Sequence, residues 1–491
     1  MGSFYEEAPT QINIFTLNCW GLKYIAKHRN ARLAEIGNQI AVANPIPEIV
    51  GLQECWTQED YLAIRESTRK ILPYGKFYYS GIFGGGLAIL SKWPIEESTM
   101  VRYPLNGRPA AFYRGDWFVG KGVACARIRI GRERKDVVEV FCTHLHAPYE
   151  SEPYDSYLCH RTAQAWEIAK LMRHAAERGH LVIGLGDFNM RPLSLAHRLI
   201  EAHSPVKDVW RILHPDSSVG AAKDAVEKSR GKPIPSADYN LTVNGATCDS
   251  ALNTWRWNKG HQKRLDKGHN IVVEHSVEDP KAKRLDYIFF ANPETDSPNA
   301  TPQWAVTSAT VGMTGRHPTL HCSLSDHFSV EATLTLQPPS STKIMNRNLS
   351  AQTTVPPDGT ISTSPLPLET YDSILTLTQA YTLRERHQRI LRLAHMGWQL
   401  CLSIGCLTGI WWAPYPGVGF LLALLSTVGL SVGVIDGLMG GLFVGSELRA
   451  LKEFEWEIMR AREDAERVGR ENWARDEEGK GALGGFIEVI S

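Results

Sequence analysis

The sequence lacks an excess of charge of either sign. Its 491 residues hold 53 Lys and Arg against 53 Asp and Glu, a formal net charge of zero. A general nucleic-acid binder carries a basic excess, so that class is set aside. An ordered cysteine pattern is also missing. The nine cysteines (Cys19, Cys55, Cys125, Cys142, Cys159, Cys248, Cys322, Cys401, Cys406) are scattered, odd in number and include no C-x-x-C. They read as reduced thiols of a cytosol-facing domain, not as a disulfide framework or a zinc site. Residues 1–10 contain Glu6, Glu7 and Pro9 and no apolar core, which excludes a secretory signal peptide there. No G-x-x-x-x-G-K-[ST] run occurs. In the glycine-rich stretch from Gly115 to Gly122, Lys121 is followed by Gly122, so phosphate cradling of the nucleotide-binding kind is not expected.

What is present divides the chain into parts, as its length requires. Residues 1–336 alternate short apolar runs with helical stretches. Strands are expected at 12–18, 48–54, 87–90, 122–130, 137–144, 181–185, 284–290 and 327–336, and helices at 32–42 and 157–177. This mixture predicts a layered α+β domain. Residues 337–380, rich in Pro, Ser and Thr, read as a linker with little fixed structure. Residues 381–392 form a basic arm with Arg384, Arg386, Arg389 and Arg392.

Two long apolar runs follow, 393–413 and 418–445, joined by Pro414-Tyr415-Pro416-Gly417. At about 1.5 Å per residue each is long enough for the roughly 30 Å hydrocarbon core, which predicts a two-helix transmembrane hairpin. Glycines at 429, 433, 437, 440, 441 and 445 suit close helix packing, and dimerisation through the hairpin is one expectation. Asp436 is the one acid of the second run. Arg449 and Lys452 follow it, whereas the turn between the runs has no basic residue. Both ends of the hairpin, the N-terminal domain and the charged helix and tail at 446–491 are therefore expected to be cytosolic. On that last helix Leu448, Leu451, Phe454 and Ile458 make a narrow stripe that suits either a solvated juxtamembrane helix or a docking face.

Chemistry concentrates where apolar runs end. Gly184-Leu185-Gly186-Asp187-Phe188-Asn189 follows Leu181-Val182-Ile183, and its glycines allow a sharp turn and close approach of a ligand. Asn18, Glu54, His144, Asp286, Asp326 and His327 stand at the ends of other runs. Taken singly each has a plain reading: Asn18 capping a turn, Glu54 capping a helix, His144 as a core histidine, Asp286 paired with Arg284. Taken together the set of carboxylates, amides and histidines suits a hard, oxygen-seeking ion such as Mg²⁺, with Mn²⁺ as the alternative.

The ordered pieces Gln53-Glu54, Thr143-His144-Leu145, Gly186-Asp187-Phe188-Asn189, Leu285-Asp286-Tyr287 and Ser325-Asp326-His327 resemble the endonuclease/exonuclease/phosphatase superfamily over residues 11–336. The resemblance implies a four-layered αββα sandwich, DNase-like, that cleaves phosphate esters with Mg²⁺. It implies Glu54 as main metal ligand with Asn18 and Asp326 close by. It implies His327 as general base held by Asp286, His144 and Asn189 as donors to phosphate oxygens, and Asp187 as the residue that orients the nucleophile or is itself the base. Three features resemble the neutral sphingomyelinase branch, nearest to the fungal inositol phosphosphingolipid phospholipase C group. These are the second histidine His146 in Thr143-His144-Leu145-His146-Ala147-Pro148-Tyr149, the loop carrying Asp116 and Lys121, and the C-terminal hairpin.

That branch implies hydrolysis of sphingolipids to ceramide and a phosphorylated headgroup, with an anionic, phosphatidylserine-like phospholipid as activator. Asp116 and Lys121 would then belong to a mobile lid, with Lys121 on substrate phosphate or on Asp116. The headgroup stays open between inositol phosphate and phosphocholine, and the membrane between endoplasmic reticulum, Golgi and mitochondrial outer membrane. Rival readings are an inositol polyphosphate phosphatase of the same fold and a non-catalytic membrane scaffold. Against the former, Met190-Arg191-Pro192 follows Asn189 where Tyr-Arg is expected, and Phe328 follows the last histidine.

Overall fold

The most buried stretches of the sequence become the central strands of two sheets. In the computed structural model, which describes residues 7–150, 154–269, 271–293, 301–338 and 365–487, the chain divides into two units. The first comprises residues up to Asn106 and Phe118–Ser364; the second comprises Gly107–Trp117 and Pro365–Ser491.

Among the described residues the first unit has twelve strands: β1 (Gln11–Asn18), β2 (Ile49–Gln53), β3 (Tyr74–Tyr78), β4 (Leu87–Ser91), β5 (Ile95–Arg102), β6 (Gly122–Arg129), β7 (Val137–His144), β8 (Leu181–Asp187), β9 (Lys207–Asp208), β10 (Asp286–Ala291), β11 (Gln303–Gly312) and β12 (Ser329–Gln337). They form two six-stranded mixed sheets, ordered β11-β12-β1-β2-β4-β3 and β5-β6-β7-β8-β10-β9. Among the described residues only the β1–β2 and β7–β8 pairs are parallel.

Ile12, Ile14, Ile49 and Ile89 of the first sheet meet Ala124, Val140, Cys142, Ile183, Leu185 and Ile288 of the second in one buried core. Burial at about 25 cal/mol per Å² of apolar surface makes this inter-sheet layer the main hydrophobic contribution. Outside the first sheet lie α1 (Arg29–Ala41) and α2 (Gln58–Thr68), whose Leu33, Ile36, Ile40 and Ile64 join Phe15, Leu17, Val50 and Leu52. The start of α2 is secured by a capping box between Thr57 and Asp60. Outside the second sheet lie α3 (Leu158–Glu177) and α4 (Leu195–His203), with α3 against β8. The layers are those of the expected αββα sandwich.

The second unit is built on three helices: α5 (Leu368–Gly409), α6 (Pro416–Leu438) and α7 (Val444–Ile487). Among the described residues, two helical stretches, Leu368–Trp412 and Pro416–Glu471, are long and apolar enough to cross a membrane. Helix α5 starts at Leu368, so the last part of the expected linker and the basic arm are one continuous helix with the first apolar run. Residues 339–364 of the expected linker lie outside the described residues. Leu451, Phe454 and Ile458 of α7 are buried, as are Tyr371, Ile374 and Tyr381 of α5, with which α7 packs. The stripe is thus a docking face. Asp436 is engaged by Arg392 and by His395 Nδ1, the latter at 2.7 Å, and Ser403 and Ser426 hydroxyls lie 2.6 Å apart. A Cβ on Gly433 would meet the Gln399 side chain at 2.7 Å, so the glycine permits this close approach.

Candidate active site

Sheet register brings the polar strand ends together. Asn18 ends β1 beside Gln53 at the end of β2, and Glu54 follows at once. In the second sheet His144, Asp187 and Asp286 lie side by side on β7, β8 and β10, because β7 runs parallel and β10 antiparallel to β8. His327 precedes β12, whose start lies antiparallel to the end of β1. Gly186 has φ of 141°, and a Cβ there would run into the Thr143 carbonyl. Only glycine lets β8 come this close to β7 just before Asp187.

The resulting cluster is tightly connected. The Asn18 amide nitrogen donates to Glu54 Oε1 and to Asp187 Oδ2, each at 3.0 Å. The Asn189 backbone N–H donates to Asp187 Oδ1 at 2.9 Å, and its side-chain amide donates to the Leu145 carbonyl at 3.1 Å. His327 Nδ1 pairs with Asp286 Oδ2 at 2.8 Å. His144 Nε2 lies 3.5 Å from Asp187 Oδ2. Ser325 Oγ donates to the Asn18 carbonyl, tying the Asp326-His327 turn to the end of β1.

Burial sets the proton affinities. The Asp187 carboxyl is pushed up to about 7 by burial and then by the Asp286 charge. Glu54 is raised, first by burial and then by Asp326. His144 is held well below the usual histidine range by burial, with Lys121 and His327 adding to the effect. Burial, the largest single influence, would lower His327 too, but Asp286, Cys248 and Asp187 together outweigh it and the imidazole is raised well above its ordinary value.

The donor set fits a hard cation. Ligand atoms of Asp187, Asp286 and His327 lie within 4.8 Å of one another. Glu54 Oε2 and Asp286 Oδ1 are buried and accept no hydrogen bond among the described residues. Buried anionic oxygens without donors are expensive unless a cation meets them. The expected metal group Glu54, Asn18 and Asp326 adjoins the triad, since Asn18 bonds both Glu54 and Asp187, and Asp326 is one of the charges acting on Glu54.

The structure also locates the three residues expected at the substrate or lid. Lys121 is buried, and its Nζ donates to the Leu145 carbonyl at 2.9 Å, the same acceptor that Asn189 uses. Asp116 is buried at the start of the short helix Asp116–Val119 and belongs to the second unit. His146 is fully buried behind the cluster, stacked on Tyr157 at 5.0 Å and edge-on to His160. Arg284 does not pair with Asp286: its Nη1 donates to both oxygens of Asp208 at 2.8 Å, and Asp208 also meets His197 Nε2 at 3.1 Å.

Sequence reasoning missed Thr247, whose hydroxyl donates to Asp286 Oδ2 at 2.6 Å. It lies in a stretch without periodic pattern, 39 residues from its partner. No local signal marks it; only the hydrogen bonds that tie Phe328 and Lys283 to the Thr247-Cys248 backbone place it there.

Comparison with known proteins agrees with this geometry. The sequence pattern of the Endonuclease/Exonuclease/phosphatase family matches residues 15–327. The inositol phosphosphingolipids phospholipase C of Schizosaccharomyces pombe is 37% identical, over 92% of this chain and 94% of its own. That of Saccharomyces cerevisiae is 32% identical, over 92% and 90%. Human sphingomyelin phosphodiesterase 2 is 36% identical over 41% of this chain and 46% of its own. With the matched span covering every residue of the polar cluster, the chain belongs to the endonuclease/exonuclease/phosphatase family.

Proposed function

We propose that this protein is a Mg²⁺-dependent phospholipase C that hydrolyses inositol phosphosphingolipids to ceramide and inositol phosphate at a membrane surface. The observation that carries this reading is the convergence of Asn18, Glu54, His144, Asp187, Asn189, Asp286 and His327 from both sheets into one buried polar cluster. The two relatives that align over nearly their whole length carry the inositol phosphosphingolipid name, which favours that headgroup over phosphocholine. Exposed apolar side chains at Tyr24, Ile25, Ile82 and Phe83 of the first unit suit contact with lipid.

Glu54, Asn18 and Asp326, with Asp187 and Asp286 adjoining, are the residues that would hold the ion. When bound, Mg²⁺ supplies positive charge to the phosphate and to the leaving oxygen. Asp187 is suited to take a proton from the attacking water, because His327, paired with Asp286, already holds its own. His327, kept charged by Asp286, steadies a non-bridging phosphate oxygen. His144 and the Asn189 amide are positioned to do the same. Water attacks phosphorus and gives a proton to Asp187, the P–O bond to ceramide breaks, and the ceramide oxygen takes a proton from solvent water, to which Asp187 then returns its own.

The hairpin would keep the site at the bilayer, with both of its ends in the cytosol, in the endoplasmic reticulum, Golgi or mitochondrial outer membrane. Of the basic arm, the exposed Arg386 and Arg389 are suited to draw anionic phospholipid at about 1 kcal/mol each, whereas Arg384 is paired with Glu385 and Arg392 with Asp436. Because Gly429, Gly433 and Gly437 already face Gln399 and Met396 of α5, a homodimer contact through the hairpin would use another face of α6.

The test is Mg²⁺-dependent hydrolysis in detergent–phosphatidylserine micelles, with inositol phosphorylceramide, sphingomyelin and a soluble inositol polyphosphate side by side and His327→Ala as blank. Ceramide release absent from the blank is expected. Turnover of the soluble phosphate alone would favour a phosphatase. No turnover, with metal bound and the fold intact, would favour a scaffold.

A further inference from the structure

The insertion between Asp187 and Asp286 carries charged side chains that the mechanism does not use. Cys248 forms isolated β-bridges with both His327 and Lys283. The Cys248 N–H donates to the Lys283 carbonyl and the Lys283 N–H donates back to the Cys248 carbonyl, each at 3.0 Å. The next residue, Asp249, receives two cations: Arg256 Nε at 2.7 Å on one oxygen and Lys283 Nζ at 2.8 Å on the other. Arg256 is further tied by Nη2 to Cys248 Sγ at 3.3 Å. One carboxylate shared by two cations leaves one net positive charge. It is anchored through Cys248 to the backbone of His327, beside the reacting centre.

We propose that Arg256, Lys283 and Asp249 form a headgroup subsite that selects a polyol headgroup, through its hydroxyls, over a quaternary ammonium one. This rests on the lipid-hydrolase reading above and names its specificity determinant.

The chemistry is matched on both sides. Arg256, Lys283 and Asp249 keep 41%, 28% and 22% of their side-chain surface exposed, so a ligand can reach them. Guanidinium and ammonium groups donate several hydrogen bonds to phosphate and hydroxyl oxygens, and the carboxylate accepts from hydroxyls. A polyol phosphate uses both kinds of partner. A quaternary ammonium has no donor and no acceptor and meets net positive charge. Its usual recognition is by aromatic faces. The aromatic pair beside Asn18, Trp20 with Trp255 at 4.7 Å, is already engaged by a cation of the protein: the Arg32 guanidinium lies 4.7 Å from one ring and 5.7 Å from the other. The subsite is also within electrostatic reach of the catalytic groups. His327 acts on Asp249, and Asp326 acts on Arg256.

The experiment compares wild type with Arg256→Gln, Lys283→Gln and the charge-retaining Lys283→Arg in the full chain. It measures kcat/KM on inositol phosphorylceramide and on sphingomyelin, together with competition by inositol 1-phosphate, phosphocholine and inorganic phosphate. The Gln variants should lower the inositol-to-choline ratio of kcat/KM by at least about tenfold, mostly through KM, and weaken inositol 1-phosphate inhibition in parallel. Lys283→Arg should retain most of the ratio. Equal losses on both lipids would reduce the cluster to loop closure and overturn the proposal. So would inhibition by inorganic phosphate as strong as by inositol 1-phosphate. If wild type hydrolyses neither lipid, the phospholipase reading falls. The subsite then stands or falls on whether inositol 1-phosphate binds wild type more tightly than the Gln variants.

Discussion

His327 Nδ1 lies 2.8 Å from Asp286 Oδ2, and that same oxygen accepts the Thr247 hydroxyl at 2.6 Å. The carboxylate is thus held from the β12 side and from the insertion at once. With Asp286 fully buried, each donor orients it and offsets its desolvation. Thr247→Val keeps the shape and removes one donor. We expect kcat to fall about tenfold with KM little changed, on the scale of one charge-assisted hydrogen bond. Steady-state kinetics on the micellar substrate tests this, and an unchanged kcat would remove Thr247 from any positioning role.

Glu54→Gln separates stability from activity. The Glu54 carboxyl is buried beside Asp326 and is raised by both circumstances. Neutralising it should lower activity on the order of 100-fold at saturating Mg²⁺. The same change should raise the melting temperature in EDTA, because a buried like-charge contact is relieved. A lower melting temperature in EDTA would mean that Glu54 serves the fold without a cation.

Acid should weaken the fold through His203, which packs on Trp166 with ring centroids 4.5 Å apart. Burial, and then Arg173, lower its imidazole from 6.5 to about 4. A ring that binds its proton more readily when unfolded stabilises the native state fully above its unfolded value. That contribution is lost as pH falls from about 6.5 towards about 4. Urea midpoints at about pH 7.5 and about pH 5 should therefore differ less for His203→Phe than for wild type. Equal differences would assign the acid sensitivity elsewhere.

Asp436 holds the two apolar helices through Arg392 and His395. Asp436→Ala leaves both without this partner and should destabilise the hairpin by about 1–2 kcal/mol, with Asp436→Asn between it and wild type. Thermal unfolding of the full chain in detergent, followed by cross-linking between cysteines placed on α5 and α6, reads the loss. No loss in either variant would make the pairing incidental.

The strands legible in the sequence were those buried on both faces, such as β2, β4 and β8, where every residue is buried and the apolar run is continuous. The strands that escaped, β3, β5, β9 and β11, lie at the sheet edges or next to them. Of these, β5 has no fully buried residue, so its sequence carries little hydrophobic signal. Helix α5 escaped in part because its first turns read as linker; their Tyr371 and Ile374 are buried together with residues of α7 such as Leu451 and Ile458, far away in sequence.

Local chemistry determined a great deal by itself. Apolar runs ending in Asn18, Glu54, His144, Asp187, Asp286 and His327 specify polar groups at strand ends, and two long runs with few charges specify a hairpin suited to a membrane. Those signals are short-range, because side-chain periodicity and run length are read from neighbours in the chain. Which ends meet was decided only by register between strands far apart in sequence, such as Asp187 opposite Asp286. The same long-range packing put Thr247 on Asp286, buried Lys121 against the Leu145 carbonyl, and gave Arg284 to Asp208 instead of to its neighbour Asp286. Side-chain partners across sheets and loops follow from tertiary packing, which no local pattern encodes.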